Sequence, residues 1–252
     1  QRVGKSGPYA VAALVEFGAM ITTWLFVQET LQEKGSLKDF KFRSSSPLSF
    51  LKLFGESPRL SLLTVMHIIN SSCERMPMYQ AQENYNQEIL KFSTGERAKW
   101  LSFVSINAFP SYALAGTFMK KLGTSACVWL GASMHTLFQF LQSRVRQRFT
   151  FCAILPLGML RPAVSNSIIG MMQDEIRKVG MKQGEFQGCL SNIKTLTEAV
   201  PLTLWGKLYA YGYKKGKPQL FLYVAMLCNV AQMLLERCIS RLEDSASRKT
   251  VL

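Results

Sequence analysis

FTFCAILPLGMLRPAVSNSIIGMM, residues 149–172, and FQGCLSNIKTLTEAVPLTLWGKLYA, residues 186–210, decide the reading of this chain. Each is apolar and long enough to cross a bilayer, which takes about 20 residues. Each also carries charge near its middle: Arg161 in the first, Lys194 and Glu198 in the second. Ionisable side chains inside such helices are costly and turn toward a bundle interior or an aqueous path. The expected fold class is an all-α membrane protein, a polytopic helical bundle with a polar centre.

Similar blocks recur on both sides of this stretch. They cover residues 7–27, 59–80, 98–119, 122–143 and 218–235, which makes about seven transmembrane helices with the two above. The 122–143 and 218–235 blocks hold no charged residue, and the 98–119 block holds only Lys99. Over all 252 residues the chain is 48% hydrophobic and 18% charged, with a net charge of +14. The bases cluster between blocks, as at Lys120 and Lys121, at Arg144, Arg146 and Arg148, and at Lys214, Lys215 and Lys217. Such loops suit an anionic lipid surface, and no nucleic-acid recognition motif is interleaved with them. The expected partner is the lipid bilayer, not nucleic acid.

The six cysteines are scattered with no CxxC spacing, so they read as small hydrophobes in helices and not as disulfide or zinc ligands. His67 and His135 lack a second ligand at metal spacing. No nucleophile elbow, phosphate loop, dinucleotide fingerprint or zinc motif is present, so no enzyme, cofactor or metal is expected.

The layout that follows is a leading helix over 1–27, a loop over 28–57, a six-helix bundle over 58–238 and a polar tail over 239–252. Within the loop, residues 47–54 read as a short amphipathic helix lying on the membrane surface. The bundle contains a weak internal repeat. Pro110 and Gly116 precede Lys120, Lys121 and an uncharged block; Pro201 and Gly206 precede Lys214, Lys215 and another. Two three-helix units, 59–143 and 149–237, follow from this. Because three is odd, they lie in opposite orientation, as in secondary transporters.

Specific residues also resemble a known family. FVQETL at 26–31 resembles the P-E-T-L end of helix 6 of major facilitator superfamily transporters, with Gln28 in place of the Pro. PLS at 47–49 resembles the end of their central cytoplasmic loop. GEFQG at 184–188, Ser191 and AVPL at 199–202 resemble the G-x-x-Q-G start and G-P middle of helix 11, with Ala199 and Val200 where the Gly is expected. The chain is most similar to the proton-coupled antiporters of the tetracycline-efflux type and their eukaryotic relatives. The resemblance covers helices 6–12. It implies alternating-access transport of a small organic solute, coupled to protons, by a portion of a longer chain. It also implies a missing amino-terminal half or a second membrane subunit as partner. It puts the 28–57, 119–123 and 173–184 loops and the tail in the cytoplasm. The alternative is a non-transporting structural membrane subunit derived from a transporter.

The candidate residues of the solute and proton pathway are Arg161, Asn166, Asn192, Lys194, Glu198, Asn70, Glu74 and Glu16. Arg161, followed by Pro162, sits in a helix expected to kink. It reads either as an anchor for a polar or anionic solute or as a partner for Glu198 or Glu74. Glu198 reads either as a buried titratable carboxylate or as the neutralising partner of Lys194, four residues away on the same helical face. His67, Asn70 and Glu74 share one face at i, i+3, i+7. Asn70, Asn107, Asn166 and Asn192, one per helix, read as interhelical hydrogen-bonding groups.

Overall fold

The computed structural model describes residues 13, 14, 16–18, 20–22, 25, 48–145 and 147–250. Among these, helix is the dominant state and no strand occurs. The chain divides into two compact units, Gln1–Phe42 and Arg43–Leu252. In the first, the described residues between 13 and 25 are helical, and Glu16 is exposed. Most of the central loop lies outside the described residues.

The second unit is built from nine helices among the described residues: α1 (Leu53–Glu56), α2 (Pro58–Ser72), α3 (Arg75–Glu88), α4 (Thr94–Leu122), α5 (Thr124–Arg144), α6 (Arg148–Ala153), α7 (Arg161–Val179), α8 (Gln183–Lys214) and α9 (Leu220–Thr250). Short 3-10 turns precede α1, at Ser49–Lys52, and α7, at Leu155–Gly158. The starts and stops have local causes. The Ser57 hydroxyl accepts from the Leu60 amide at 3.0 Å, with Pro58 at the first helical position. Ser93 and Glu96 form a reciprocal capping box that starts α4. Gly123, at φ 82°, is the one residue between α4 and α5, and Gly180, at φ 72°, ends α7. Both conformations disfavour a Cβ.

The apolar blocks form helices, but their boundaries differ from the sequence reading. The second block breaks at Cys73 and Glu74, and its second part, α3, continues to Glu88 through residues read as a polar loop. Buried Tyr85 holds that extension against Phe221, ring centroids 5.8 Å apart. The fifth block breaks between Ala153 and Arg161, so Pro162 sits in the first turn of α7 instead of kinking a longer helix. Pro110 and Pro201 lie in helix interiors, in α4 and α8.

Two further expectations need correction. Of the 47–54 segment, the described residues 48–54 dock into the bundle: Phe50 and Leu53 are buried in its core, and Lys52 bonds Glu185 of α8 at 2.6 Å. That hydrogen bond raises the exposed Lys52 ammonium above its ordinary range. The expected tail is the end of α9. Ile239 is buried in the core, and Glu243 pairs with Arg59, which also holds Glu175 at 3.0 Å. A helix with buried and ion-paired residues does not unravel into a tail.

The packing has an internal symmetry. Exchange the first unit (α2/α3, α4, α5) for the second (α6/α7, α8, α9) and the contacts map onto one another. The α9 helix packs on α2 as α5 packs on α7; α8 packs on α3 as α4 packs on α7. The α4–α5 contact matches α8–α9, while α2–α7 and α5–α9 map onto themselves. In both units the first helix is the broken one.

Two apolar cores result. One gathers Leu60, Leu63, Ile168, Met172, Phe186 and Ile193, with Ile239 from the far part of α9. The other gathers Tyr85, Trp100, Phe151, Trp205 and Tyr209, with Phe221 at the start of α9. By length and composition, two helical stretches could cross a membrane, Thr150–Val179 and Leu220–Glu243, each with mean hydropathy 1.3.

Candidate functional site: an arginine on the wall of a cavity

The break between α2 and α3 exposes carbonyls that have no partner within the helix. Each finds one elsewhere. The Ser72 carbonyl accepts from Trp205 Nε1 at 2.7 Å. The Asn70 carbonyl accepts from the Cys73 amide at 3.1 Å and from Arg161 Nη2 at 2.7 Å. A cation thus meets the negative end of α2. Past the break, Glu74 stands at the N-terminus of α3, the positive end of that helix.

Arg161 is tied to three helices. Besides Asn70, its Nη1 donates to Asn229 Oδ1 of α9 at 3.1 Å and approaches His135 Nδ1 of α5 at 3.4 Å. Asn229 Nδ2 in turn contacts His135 Nδ1 at 3.1 Å and donates to Gln139 Oε1 at 3.0 Å. Beside this network, Ser165 donates to Glu74 Oε1 at 2.7 Å, and Asn70 Nδ2 reaches both Ser165 Oγ, at 2.7 Å, and Glu74 Oε1, at 3.2 Å. No carboxylate of the described residues lies within ion-pair distance of Arg161. Its Nε is shut off from solvent without an acceptor.

A cavity of about 930 Å³ opens beside this network, lined by His67, Glu74, Asn107, His135, Arg161 and Asn166 among others. That volume suits a drug-sized molecule. His67 is buried in its wall, and its Nδ1 has no partner.

The eight sequence candidates fall into separate places. Arg161, Glu74 and Asn166 line the cavity, and Asn70 joins the first two through its carbonyl and amide. Lys194 reaches the cavity wall, but its side chain is 72% exposed. Glu198 is not turned inward: it is 47% exposed, 3.9 Å from Lys194, while Thr197 beside it is buried. An exposed pair four residues apart contributes about 0–1 kcal/mol. Asn192 donates to Ser49 Oγ at 2.9 Å and so holds the segment before α1, away from the cavity. Glu16 belongs to the first unit. Asn107 donates to the Phe103 carbonyl of its own helix at 2.9 Å and makes no interhelical bond among the described residues.

Asn229, Gln139 and His135 were missed as members of the site. Asn229 and Gln232 lie in a block noted only for its lack of charge, yet both are fully buried, and with buried Glu236 they fall at i, i+3, i+7 on one face of α9. That spacing was readable.

Among the described residues no group of three metal-ligating side chains occurs, and the six cysteines are free. No family model, no curated protein and no solved structure matches this chain.

Proposed function

We propose that this chain is a multi-pass membrane bundle, the helix 6–12 portion of a secondary transporter similar to the major facilitator superfamily, and that it moves a small organic solute by alternating access coupled to protons. The observation that carries this reading is the cavity beside Arg161, flanked by the broken first helices of two interchangeable three-helix units. Broken helices whose ends address charged groups near the middle of the bundle are a recurring way to build a transport site.

The outer surface supports a lipid environment. Phe109 is 78% exposed, Tyr112 68%, and Ile106 and Leu227 67% each. Large apolar side chains so densely exposed on α4 and α9 suit hydrocarbon or a partner helix better than water. Short connections of one to a few residues join most consecutive long helices, which suits repeated crossing.

Glu74 is the proton-carrying carboxylate in this reading, in place of Glu198. It lines the cavity and is hydrogen-bonded to the residues around Arg161. The test uses membrane vesicles from cells producing the full-length protein, with an imposed pH gradient followed by a fluorescent pH dye. A transported solute dissipates the gradient; Glu74→Gln is expected to reduce the dissipation at least about tenfold, and Glu198→Gln to leave it unchanged. A solute panel that never moves protons leaves only the structural-subunit reading. Full activity of Glu74→Gln removes Glu74 from the coupling.

A further inference from the structure

The cavity wall holds one cation, Arg161, with no described carboxylate at ion-pair distance and with an N–H that has no acceptor. We infer that the cavity binds an amphipathic organic monoanion, a carboxylate on an aromatic or aliphatic body, with the carboxylate held at Arg161. This rests on the reading of the cavity as the solute site.

A guanidinium keeps its proton and can only donate. The partners of Arg161, the Asn70 carbonyl, the Asn229 amide oxygen and His135 Nδ1, are neutral acceptors. His135 Nδ1 lies 3.1 Å from Asn229 Nδ2 and 3.4 Å from both Arg161 Nη1 and Asn229 Oδ1; as a bare ring nitrogen it accepts from the two donors and brings no charge. Arg161 Nε–H has no acceptor at all. A buried charge is tolerated only when it is paired and hydrogen-bonded, and a carboxylate meets the edge of a guanidinium in a planar fork.

The other charges of the wall are already satisfied. Glu83 faces Arg97 at 3.7 Å and Lys194 faces Glu198 at 3.9 Å. Glu74 accepts from Ser165 and Asn70 and sits at the positive end of α3. The unmet group is therefore the cation. A second feature points the same way: Arg161 is the first residue of the 19-residue helix α7, whose positive end lies at the same stretch of wall as Gly158, Met159 and Pro162. Around it, Trp100, Phe138 and Ile169 supply apolar surface for the body of the ligand.

The experiment is calorimetric titration of the full-length protein in lipid nanodiscs with three probes of one shape: 1-naphthoate, 1-naphthamide and 1-naphthylmethylamine. Naphthoate is expected to bind at least about tenfold more tightly than the amide, the scale of one charged hydrogen bond. Arg161→Gln is expected to abolish that preference and leave amide binding intact, which also reports that the variant is folded. Glu74→Gln removes the nearest negative charge and is expected to tighten naphthoate binding; where Arg161→Gln does not fold, this variant decides. Equal binding of acid and amide, preference for the amine, no binding of any probe, or no tightening in Glu74→Gln overturns the inference. Selective anion binding without proton movement sinks the transport reading and leaves this one standing. Proton movement driven only by amines or neutral solutes does the reverse.

Discussion

Asn229→Leu is expected to destabilise the bundle by about 3 kcal/mol, because it breaks a buried charged network at its centre. One amide performs three tasks: its oxygen accepts from Arg161, and its nitrogen contacts His135 and Gln139. Leucine keeps the branched shape and the number of side-chain heavy atoms and removes all three. Arg161 then keeps only the Asn70 carbonyl and the His135 nitrogen, and Gln139 loses its donor. The cost comes from stranding a charge, so it depends on that charge being present. Arg161→Met should be destabilising alone, yet the double variant Arg161→Met/Asn229→Leu should cost much less than the sum of the two. Equilibrium unfolding in mixed detergent micelles, followed by circular dichroism, measures all three. Additive losses would mean that the two side chains do not act as a unit.

Gly131→Leu is the second change with a large expected effect. A Cβ at position 131 would lie 2.2 Å from Val164 Cγ2 and 3.4 Å from the Leu160 carbonyl. Small residues at such crossings let two helix backbones approach closely. Here the crossing joins α5 to the start of α7, next to Arg161. A leucine must force the helices apart, at a cost of about 3 kcal/mol, and it must shift Arg161 relative to His135 and Asn229. Gly116→Ala in α4 is the control: nothing lies within 4 Å of its Cβ, so it should be neutral or slightly stabilising. The same unfolding assay distinguishes them. Equal stability of Gly131→Leu and Gly116→Ala would show that α5 and α7 do not pack closely at this point.

The helices themselves were legible in the sequence, because apolar runs of 18 residues or more between charged clusters leave few alternatives. Arg161 was legible for the same reason: a cation in such a run has to be accounted for. The direction of a side chain was not. Successive residues on a helix are turned by about 100°, so one position separates buried Thr197 from exposed Glu198. Polar and apolar residues are spread around the circumference of α8, so its pattern does not single out an inner face. Asn229 and Gln232 are absent from the sequence reading, although their spacing on α9 marks a buried polar stripe. The breaks at Cys73–Glu74 and before Arg161 were hidden because they fall within apolar blocks. They are held by partners distant in sequence, Trp205 and Asn229 among them. The extension of α9 to Thr250 depends likewise on buried Ile239 and on Arg59, neither of which a local reading can connect.

The central claim is that consecutive long helices cross a bilayer in alternate directions around the Arg161 network. Single cysteines introduced as Lys121→Cys, Arg144→Cys, Lys182→Cys and Lys217→Cys, in a background freed of the six native ones, test it most directly. Treated with a membrane-impermeant maleimide in sealed vesicles of known orientation, positions 121 and 182 should react from one side only, and positions 144 and 217 only from the other. Reaction of all four from the same side, or recovery of the chain without membranes, would contradict the account.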